Sequence, residues 1–425
     1  MDNKGSKKHF VAVFGGAVAG SEVVNQLTVQ GIHCVVFDQN ILPHGKIEDG
    51  LPKWHSKQRD TEESHINERL NHPLVQFVPQ CKLGRDISFQ ELMQWNFSAV
   101  VLATGAWKDR SLPILDIDNY TGKGLYYQNP FVYWYNHKHE PAFTGKEFEI
   151  KDDAIVIGGG LASLDVAKIL MMEMVTAKLK QRGIVVSLFE MNHGIHKVLA
   201  KQNLGLDDLG IKGCTLYYRR RDEDMPLSHL AADTPEHIAR AKLTRQKILN
   251  NYMNKFLFRF QPCMAPVDKV TENERLTGIV FRRTDADEKK CVEIPGSEIT
   301  VNTPLVISSI GSLPEPIEGI TSSNSTFKIE SEVSCKLIGY ENVFIVGNAV
   351  TGKGNIHDSS HHAKQISQWM LEHFLINRQP LTEETIVDIM NRVKQLQEQK
   401  GYNGNYSDWA KIHTPIRLEQ LGESL

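Results

Sequence analysis

A chain of 425 residues is longer than one ordinary hydrophobic core supports and suits two domains. Its 41% hydrophobic and 23% charged composition is that of a soluble globular protein, and a formal net charge of -3 excludes a global attraction for nucleic acid or acidic membranes. No apolar stretch approaches the roughly 18 to 20 residues of a membrane span, and the first strand begins too early to leave room for a cleaved signal. The expectation is therefore an intact cytoplasmic protein. Six cysteines, at 34, 81, 214, 263, 291 and 335, never approach a C-x-x-C spacing. Neither a redox disulfide nor a metal or cluster site is written in them, and Cys34 and Cys214 read as small core residues.

In chain order, the first element is the apolar run Phe10 to Phe14, whose continuous small and branched side chains are those of a buried parallel strand. It opens into the turn Gly15-Gly16-Ala17-Val18-Ala19-Gly20 and a helix-like stretch. Absent side chains let the backbone approach a pyrophosphate, and the first N–H groups of the next helix point at that negative charge. Gly15, Ala17 and Gly20 are candidate contacts, with alanine where the middle glycine is usual. A second strand, Cys34 to Phe37, ends in Asp38, placed to accept hydrogen bonds from an adenosine ribose. Residues 41 to 55 then form a polar loop in which Gly45 and Gly50 permit close backbone approach to a ligand.

Arg59 to Leu70 reads as an exposed helix, and Val75 to Val78 and Cys81 to Leu83 read as short strands. Phe97 to Ala103 is another apolar strand, ending in Thr104-Gly105-Ala106. Between Leu112 and Lys151 lie Tyr126, Tyr127, Phe131, Tyr133, Trp134 and Tyr135, a density that suits packing between domains better than a ligand box. Ala154 to Ile157 runs into Gly158-Gly159-Gly160-Leu161-Ala162-Ser163 and a helix from about Leu164 to Lys180, repeating the order of strand, glycine turn and helix. Two such units imply two dinucleotide sites, and an architecture that needs two is a flavoenzyme holding FAD in one domain and a nicotinamide in the other.

Cys214 to Tyr218 reads as a strand that runs directly into Arg219-Arg220-Arg221. A carboxylate at this point suits NAD, whereas cationic planar forks suit the 2'-phosphate of NADP, so NADPH is expected. His237 to Lys255 reads as a helix carrying Arg240, Lys242, Arg245, Lys247 and Lys255, either a docking face for an acidic redox partner or a solvated surface. Thr277 to Arg283, Val292 to Ile294 and Thr303 to Ile310 read as a hairpin and a returning strand. Val343 to Val346 then leads into a third glycine-rich turn, Gly347 to Ile356, and a helix from about Ser359 to Asn377, whose first N–H groups would face the electron-rich edge of a flavin.

Together these residues resemble the adrenodoxin reductase type of ferredoxin-NADP reductase, whose relatives include the glutamate synthase small subunit. The likeness runs through Gly15 to Gly20, Gly50 to His55, Ala103-Thr104-Gly105, Phe131 to Asn136, Gly158 to Leu170 and Gly347 to Ile356. It implies FAD held by Gly15, Ala17, Gly20, Asp38, Gly45, Lys46 and the backbone of Gly354, Asn355 and Ile356, with Thr104, Gly105, Gly347 and Asn348 beside it. It implies NADP held by Gly160, Leu161, Arg219 and Arg220, with Arg221 in the same cluster, and the nicotinamide near Gly354. His55 keeps the family's distance from Gly50 and stands as an auxiliary catalytic candidate. Asn348 departs from the tryptophan or aspartate of these enzymes, and residues 219–226 look more like the glutamate synthase subunit.

The expected fold is α/β, with two Rossmann-like dinucleotide-binding domains and the NADP domain, 112–315, inserted into an FAD domain formed by 1–111 and 316–425. The expected activity is hydride transfer from NADPH to FAD and onward passage of electrons to a ferredoxin-type iron-sulfur protein, without nucleic acid or a membrane span. Alternatives are an oxidoreductase or monooxygenase with a small acceptor such as a quinone or oxygen, and a non-catalytic flavin-binding redox sensor.

Overall fold

Strand β1 (Phe10–Phe14) has a parallel neighbour on both edges and is buried at every position because both faces of its sheet are covered. Helix α1 (Val18–Thr28) follows the glycine turn, and β2 (His33–Phe37) returns alongside β1 with Val11 opposite Cys34 and Phe14 opposite Phe37. Helix α2 (Ser56–Leu70), β3 (Val75–Val78) and β4 (Ala99–Leu102) follow. These come from a computed structural model that describes residues 9–421 apart from 142, 229–233, 287–289, 324–325 and 353. Cys81–Leu83, expected as a strand, is irregular: a single bridge joins Leu83 to Ile87 across the turn 84–86, where Gly84 donates forward to Ile87 O.

The chain divides into two units. The first takes the chain up to Leu51, His55–Lys108 and Ser312–Pro415; the second takes Pro52–Trp54, Asp109–Gly311 and the chain from Ile416. The second unit contains β5 (Leu125–Tyr127), helix α3 (Gln128–His137), β6 (Ile155–Gly158) and helix α4 (Leu161–Gln181). Nearly every side of α4 from Ser163 to Val175 is buried, as an all-round apolar helix requires. Then come β7 (Thr215–Tyr217), helix α5 (Pro235–Phe256), β8 (Arg259–Gln261), β9 (Met264–Glu272), β10 (Arg275–Ala286), β11 (Cys291–Asn302) and β12 (Val306–Ser309). A parallel sheet runs in the order β5-β12-β6-β7-β8, and β9, β10 and β11 form a separate antiparallel sheet.

The chain returns to the first unit with β13 (Val343–Ile345), helix α6 (Ile356–Trp369), helix α7 (Glu383–Gln399) and helix α8 (Tyr406–Ile412). Strand β13 pairs with β4, completing an all-parallel sheet in the order β13-β4-β1-β2-β3. Alternation divides its core: Val11, Val13 and Val36 face α1 and α6, while Phe10, Phe14, Phe37 and Leu102 face Trp95 and α7. Phe14 stacks on Phe37 with centroids 4.5 Å apart, and each such fully buried side chain is worth about 1.5–3 kcal/mol. From β1 the chain runs outward through β2 to β3 and then crosses back to β4 on the other side of β1, which opens a crevice at the C-terminal ends of the strands, where the glycine turn lies. Helix α6 ends earlier than expected, passing into a π-helical turn at Met370–Phe374 and a short 3-10 turn at Leu375–Asn377.

All six cysteines are free, with Cys34 and Cys214 wholly buried, and burial pushes the Cys214 thiol up to about 12. No helix among the described residues is long and apolar enough to cross a membrane.

Candidate functional site

Each unit places a glycine turn at the end of a central parallel strand. In the first, Gly15 has φ +93° and donates to Phe37 O at 2.8 Å. A Cβ on Gly15 would lie 2.4 Å from the Ala103 carbonyl oxygen, and one on Gly20 only 1.7 Å from that of Gly15. Strand, turn and helix can close together only without those side chains. Ala17 is the N-cap of α1, and no side chain caps this end. Helix geometry leaves the first N–H groups, at Val18, Ala19 and Gly20, without an intrahelical partner, so they are available to an anion. By contrast, Thr234, Asn355, Thr382 and Asn405 cap α5, α6, α7 and α8 with side-chain oxygens.

Asp38 closes β2 with a carboxyl that accepts from Gly16 N at 2.8 Å and Asn40 N at 2.9 Å. Burial, reinforced by the nearby Asp49 charge, outweighs those two bonds and pushes the carboxyl up to about 7. Its folded value thus lies above the ordinary 3.8, so its contribution to stability is complete below that value and is lost as pH rises through about 7. A hydroxyl donor brought by a ligand would favour the ionised form instead.

The loop after Asp38 covers the turn. A Cβ on Gly16 would lie 2.6 Å from Pro43 Cβ, and one on Gly45 would lie 2.9 Å from Ala17 Cβ. Lys46 donates to Ser312 Oγ at 3.2 Å and lies 5.6 Å from the ring centre of Trp107, whose Nε1 donates to Thr104 O at 3.0 Å beside Gly105. The third turn joins them, since a Cβ on Gly347 would lie 2.7 Å from Ala19 Cβ. Gly15, Ala17, Gly20, Asp38, Gly45, Lys46, Thr104, Gly105 and Gly347 are therefore neighbours. Asn348 Oδ1 is buried and, among the described residues, has no hydrogen-bond partner. An orphaned buried acceptor is costly unless a bound molecule brings a donor, so this cradle fits a cofactor that does. The side chain of Asn355 is engaged with Asp358, accepting from its N at 2.7 Å and donating to Oδ2 at 2.7 Å. The backbone of Gly354, Asn355 and Ile356 is what remains there for a ligand. His55 is the half-buried N-cap residue of α2 and does not cap it through its side chain.

A buried polar network beneath the loop escaped the sequence reading, which treated Arg59 to Leu70 as an exposed helix. Arg59 is 2% exposed, donates to Leu51 O at 2.7 Å, and pairs with Glu48 and with Glu63, the latter at 3.7 Å. His44 meets Asn67 Oδ1 at 3.0 Å, and Tyr406 OH donates to the same oxygen at 2.7 Å. The usable signal was Arg59 and Glu63 at helical spacing, with an acid at 48.

In the second unit a Cβ on Gly158 would lie 2.4 Å from Ser309 O, while the space in front of Gly160 is open. Gly160 is the N-cap of α4 without a side-chain cap, and Leu161, its first residue, is 44% exposed. Ser163 turns inward and donates to Gly160 O at 2.6 Å. The ring of Tyr218 lies against Gly159, where a Cβ would approach it to 2.1 Å. The three arginines that follow divide. Arg219 is exposed and, among the described residues, has no carboxylate partner, while its carbonyl is held by Thr284 Oγ1 at 2.7 Å and Cys291 Sγ at 3.1 Å. The carbonyl of Arg220 accepts from Cys263 N at 3.0 Å. Arg221 binds Asp224 through two nitrogens at 2.8 and 2.9 Å and Glu223 at 2.9 Å. The basic helix divides too: Arg245 donates to Glu223 O at 3.0 Å and Lys242 lies 3.5 Å from the Glu223 carboxylate, leaving Arg240, Lys247 and Lys255 exposed. Cavities of about 620 and 500 Å³ in this unit share Tyr217, Gln261 and Val301, and neither includes a residue of the glycine turn.

Pro52–Trp54 also belongs to this unit. Lys53 is 5% exposed and donates to Ile416 O at 2.8 Å, and Trp54 Nε1 donates to Asp165 at 3.3 Å. Lys168 sits 3.7 Å from the Trp54 ring centre and donates to Asn192 at 2.6 Å; burial pushes its amine down to about 7.

No family model matches the chain. It is 28% identical over 168 residues to the mitochondrial NADPH:adrenodoxin oxidoreductase of Arabidopsis thaliana, covering 39% of this chain and 34% of the relative. It is 24% identical over 329 residues to the NADPH-Fe(3+) oxidoreductase subunit beta of Geobacter sulfurreducens, covering 74% of this chain and 39% of the relative. The structure of Mycobacterium tuberculosis FprA in complex with NADPH aligns with a TM-score of 0.71 over 98% of this chain and 99% of its own, at 17% identity. The chain is similar in sequence to NADPH-dependent oxidoreductases of the adrenodoxin reductase type. It spans roughly a third to two fifths of the length of those two curated relatives. The FprA likeness covers both units and shows the fold: α/β, with two Rossmann-like domains.

Proposed function

We propose that the chain is an NADPH-dependent flavoprotein oxidoreductase that passes electrons to a ferredoxin-type iron-sulfur protein. The observation that carries this is the pair of uncapped helix starts, α1 behind Gly15 to Gly20 and α4 behind Gly158 to Gly160, each at the carboxyl edge of a parallel sheet. The relatives' names support it by pairing NADPH with adrenodoxin or with Fe(3+). FAD, when bound, supplies the capacity to take a hydride and release single electrons.

The chain's own part is holding and orienting. Backbone N–H groups of α1 take the FAD pyrophosphate, Asp38 takes the ribose hydroxyls, and Gly45, Lys46, Thr104 and Gly105 line the covering loop. Asn348 Oδ1 and the backbone of Gly354 to Ile356 hold the ring edge. Gly160 and Leu161 at the start of α4 take the NADPH pyrophosphate, Arg219 and Arg220 take the 2'-phosphate, and Arg221 stiffens the loop that carries them. His55 has no proton assigned to it, because hydride transfer depends on orientation more than on a protein acid. Arg240, Lys247 and Lys255 form a docking face for an acidic protein. Six free thiols suit a reducing compartment such as the cytoplasm.

The test is an anaerobic titration of purified protein with NADPH and, separately, NADH, following the visible absorbance of the flavin. Bleaching by NADPH at far lower concentration than by NADH is expected. Colourless protein that takes up no FAD, or flavin indifferent to both nucleotides, would overturn the proposal in favour of a scaffold or sensor.

A further inference from the structure

The start of the third turn is held by a histidine. His362, on α6, accepts the Gly347 N–H on Nδ1 at 3.0 Å. An imidazole nitrogen that accepts carries no proton, so in the neutral ring the proton sits on Nε2, which faces Cys335 Sγ at 3.4 Å. The Cys335 thiol in turn donates to Glu332 O at 3.4 Å. One arrangement of hydrogens satisfies all three contacts, and it requires a neutral ring. Cys335 is held at φ +47°, a left-handed conformation unusual for a residue with a side chain, so the far end of the relay is fixed by its loop.

Gly347 has little freedom to adjust. It has φ +70°, and its Cα packs so closely on the first turn of α1 that a Cβ would lie 2.7 Å from Ala19 Cβ. The next residue is Asn348, whose Oδ1 is the orphaned acceptor. Releasing the Gly347 N–H therefore disturbs both the turn and the start of α1.

We propose that His362 is the positioning residue of the flavin turn, and that its protonation unlatches Gly347 and weakens cofactor retention in mildly acidic solution. This rests on the flavin reading above. A second proton on the ring would set an Nδ1 donor against the Gly347 donor, leaving a buried N–H unsatisfied. Burial, and the His361 charge beside it, already hold the His362 imidazole below the usual range. The latch is thus complete above the ordinary histidine value and is lost as pH falls from there through the folded one. The other groups around α6 are His357 and Asp358 on the same helix, Cys335 and Glu332 on the preceding loop, and Glu22, which pairs with Arg69 at 2.7 Å and meets Ser360 at 3.5 Å.

The test uses apoprotein of the full chain, with His362→Asn, which keeps an acceptor near Nδ1 but does not titrate, and His362→Ala, which removes it. FAD dissociation constants are measured by fluorescence at about pH 7.5 and about pH 5, and exchange of the Gly347 amide is followed by NMR. Between those conditions the wild-type constant should rise about tenfold more than that of H362N, and the Gly347 amide should lose protection only in the wild type. H362A should bind weakly at both. Any effect of Asp38 on FAD affinity is common to all three proteins and cancels. Parallel pH profiles for wild type and H362N, or an equally protected Gly347 amide at both conditions, would sink the proposal. Failure of every variant to bind FAD would sink the flavin reading instead, and amide exchange would still decide the latch.

Discussion

Arg219 and Arg221 lie two residues apart and have opposite situations. Arg221 is clamped by Glu223 and Asp224, whereas Arg219 keeps an exposed guanidinium while its carbonyl is fixed from behind. An arginine that is positioned but unpaired can grip a phosphate, and one already neutralised cannot do so without breaking its pairs. A hydrogen bond to a charged group is worth about 1.5–3 kcal/mol, so Arg219→Ala should raise KM for NADPH about 10- to 100-fold and leave KM for NADH unchanged. Arg221→Ala should change that preference much less; steady-state kinetics with both nucleotides on each variant decide it. The sequence showed three adjacent cations and also the acids at 223 and 224, but not which cation they would claim, because that depends on how the 222–224 turn folds back. The orphaned oxygen of Asn348 was likewise invisible, since a residue type says nothing of which polar atoms lose their water.

The elements that carry the glycine turns were legible because their chemistry is local. A run such as Phe10 to Phe14 can only be a buried strand beside two others, and a Cβ at Gly20 has nowhere to go. Helix α2 was misread because its buried face is made of charges: Arg59 and Glu63 are hidden as a pair with Glu48, and a search for apolar periodicity passes over them. Strand β11, expected only over Val292 to Ile294, continues past Pro295 and Gly296 through Asn302, its pairing with β10 shifted by an irregularity between Arg282 and Thr284. The open space before Gly160 allows a clean test of α4. Gly160 has φ -90° and ψ 174°, which any residue tolerates, so Gly160→Asp supplies the missing cap without strain. It should stabilise the apoprotein by about a few tenths of a kcal/mol while its carboxylate repels the NADPH pyrophosphate. Unchanged FAD content, a slightly higher Tm and lost NADPH reduction are the expected outcome; retained reduction would show that α4 is not the nucleotide's anchor.

At the scale of the whole molecule, the net charge of -3 hides a basic patch on α5. Among the described residues of that helix, Arg240, Lys247 and Lys255 are exposed to form it, while Lys242 and Arg245 are turned toward Glu223. Surface steering is screened over roughly 10 Å at 0.1 M salt, so electron delivery to an acidic iron-sulfur protein should slow as salt rises while delivery to ferricyanide changes little. Reversing Arg240 and Lys247 to glutamate should lower the first rate several-fold and spare the second. Equal effects on both acceptors would remove the docking face and favour a small-molecule acceptor.

The bond from Lys53 to the carbonyl of Ile416 joins residues 363 positions apart. On the ribosome, at about 5 to 20 residues per second, Lys53 waits roughly 20 to 70 s for that carbonyl to be made. Until then a lysine destined for burial stays in water, and neighbouring Trp54 has had to find Asp165 and Lys168 without it. This early segment is thus committed twice, first to Asp165 and Lys168 and much later to a carbonyl not yet translated. A frameshift or stop codon shortly before Ile416 would spare every glycine turn and still remove the carbonyl that Lys53 donates to, leaving its 3.6 Å pairing with Glu140, so such truncations should show a lowered Tm despite carrying both glycine turns.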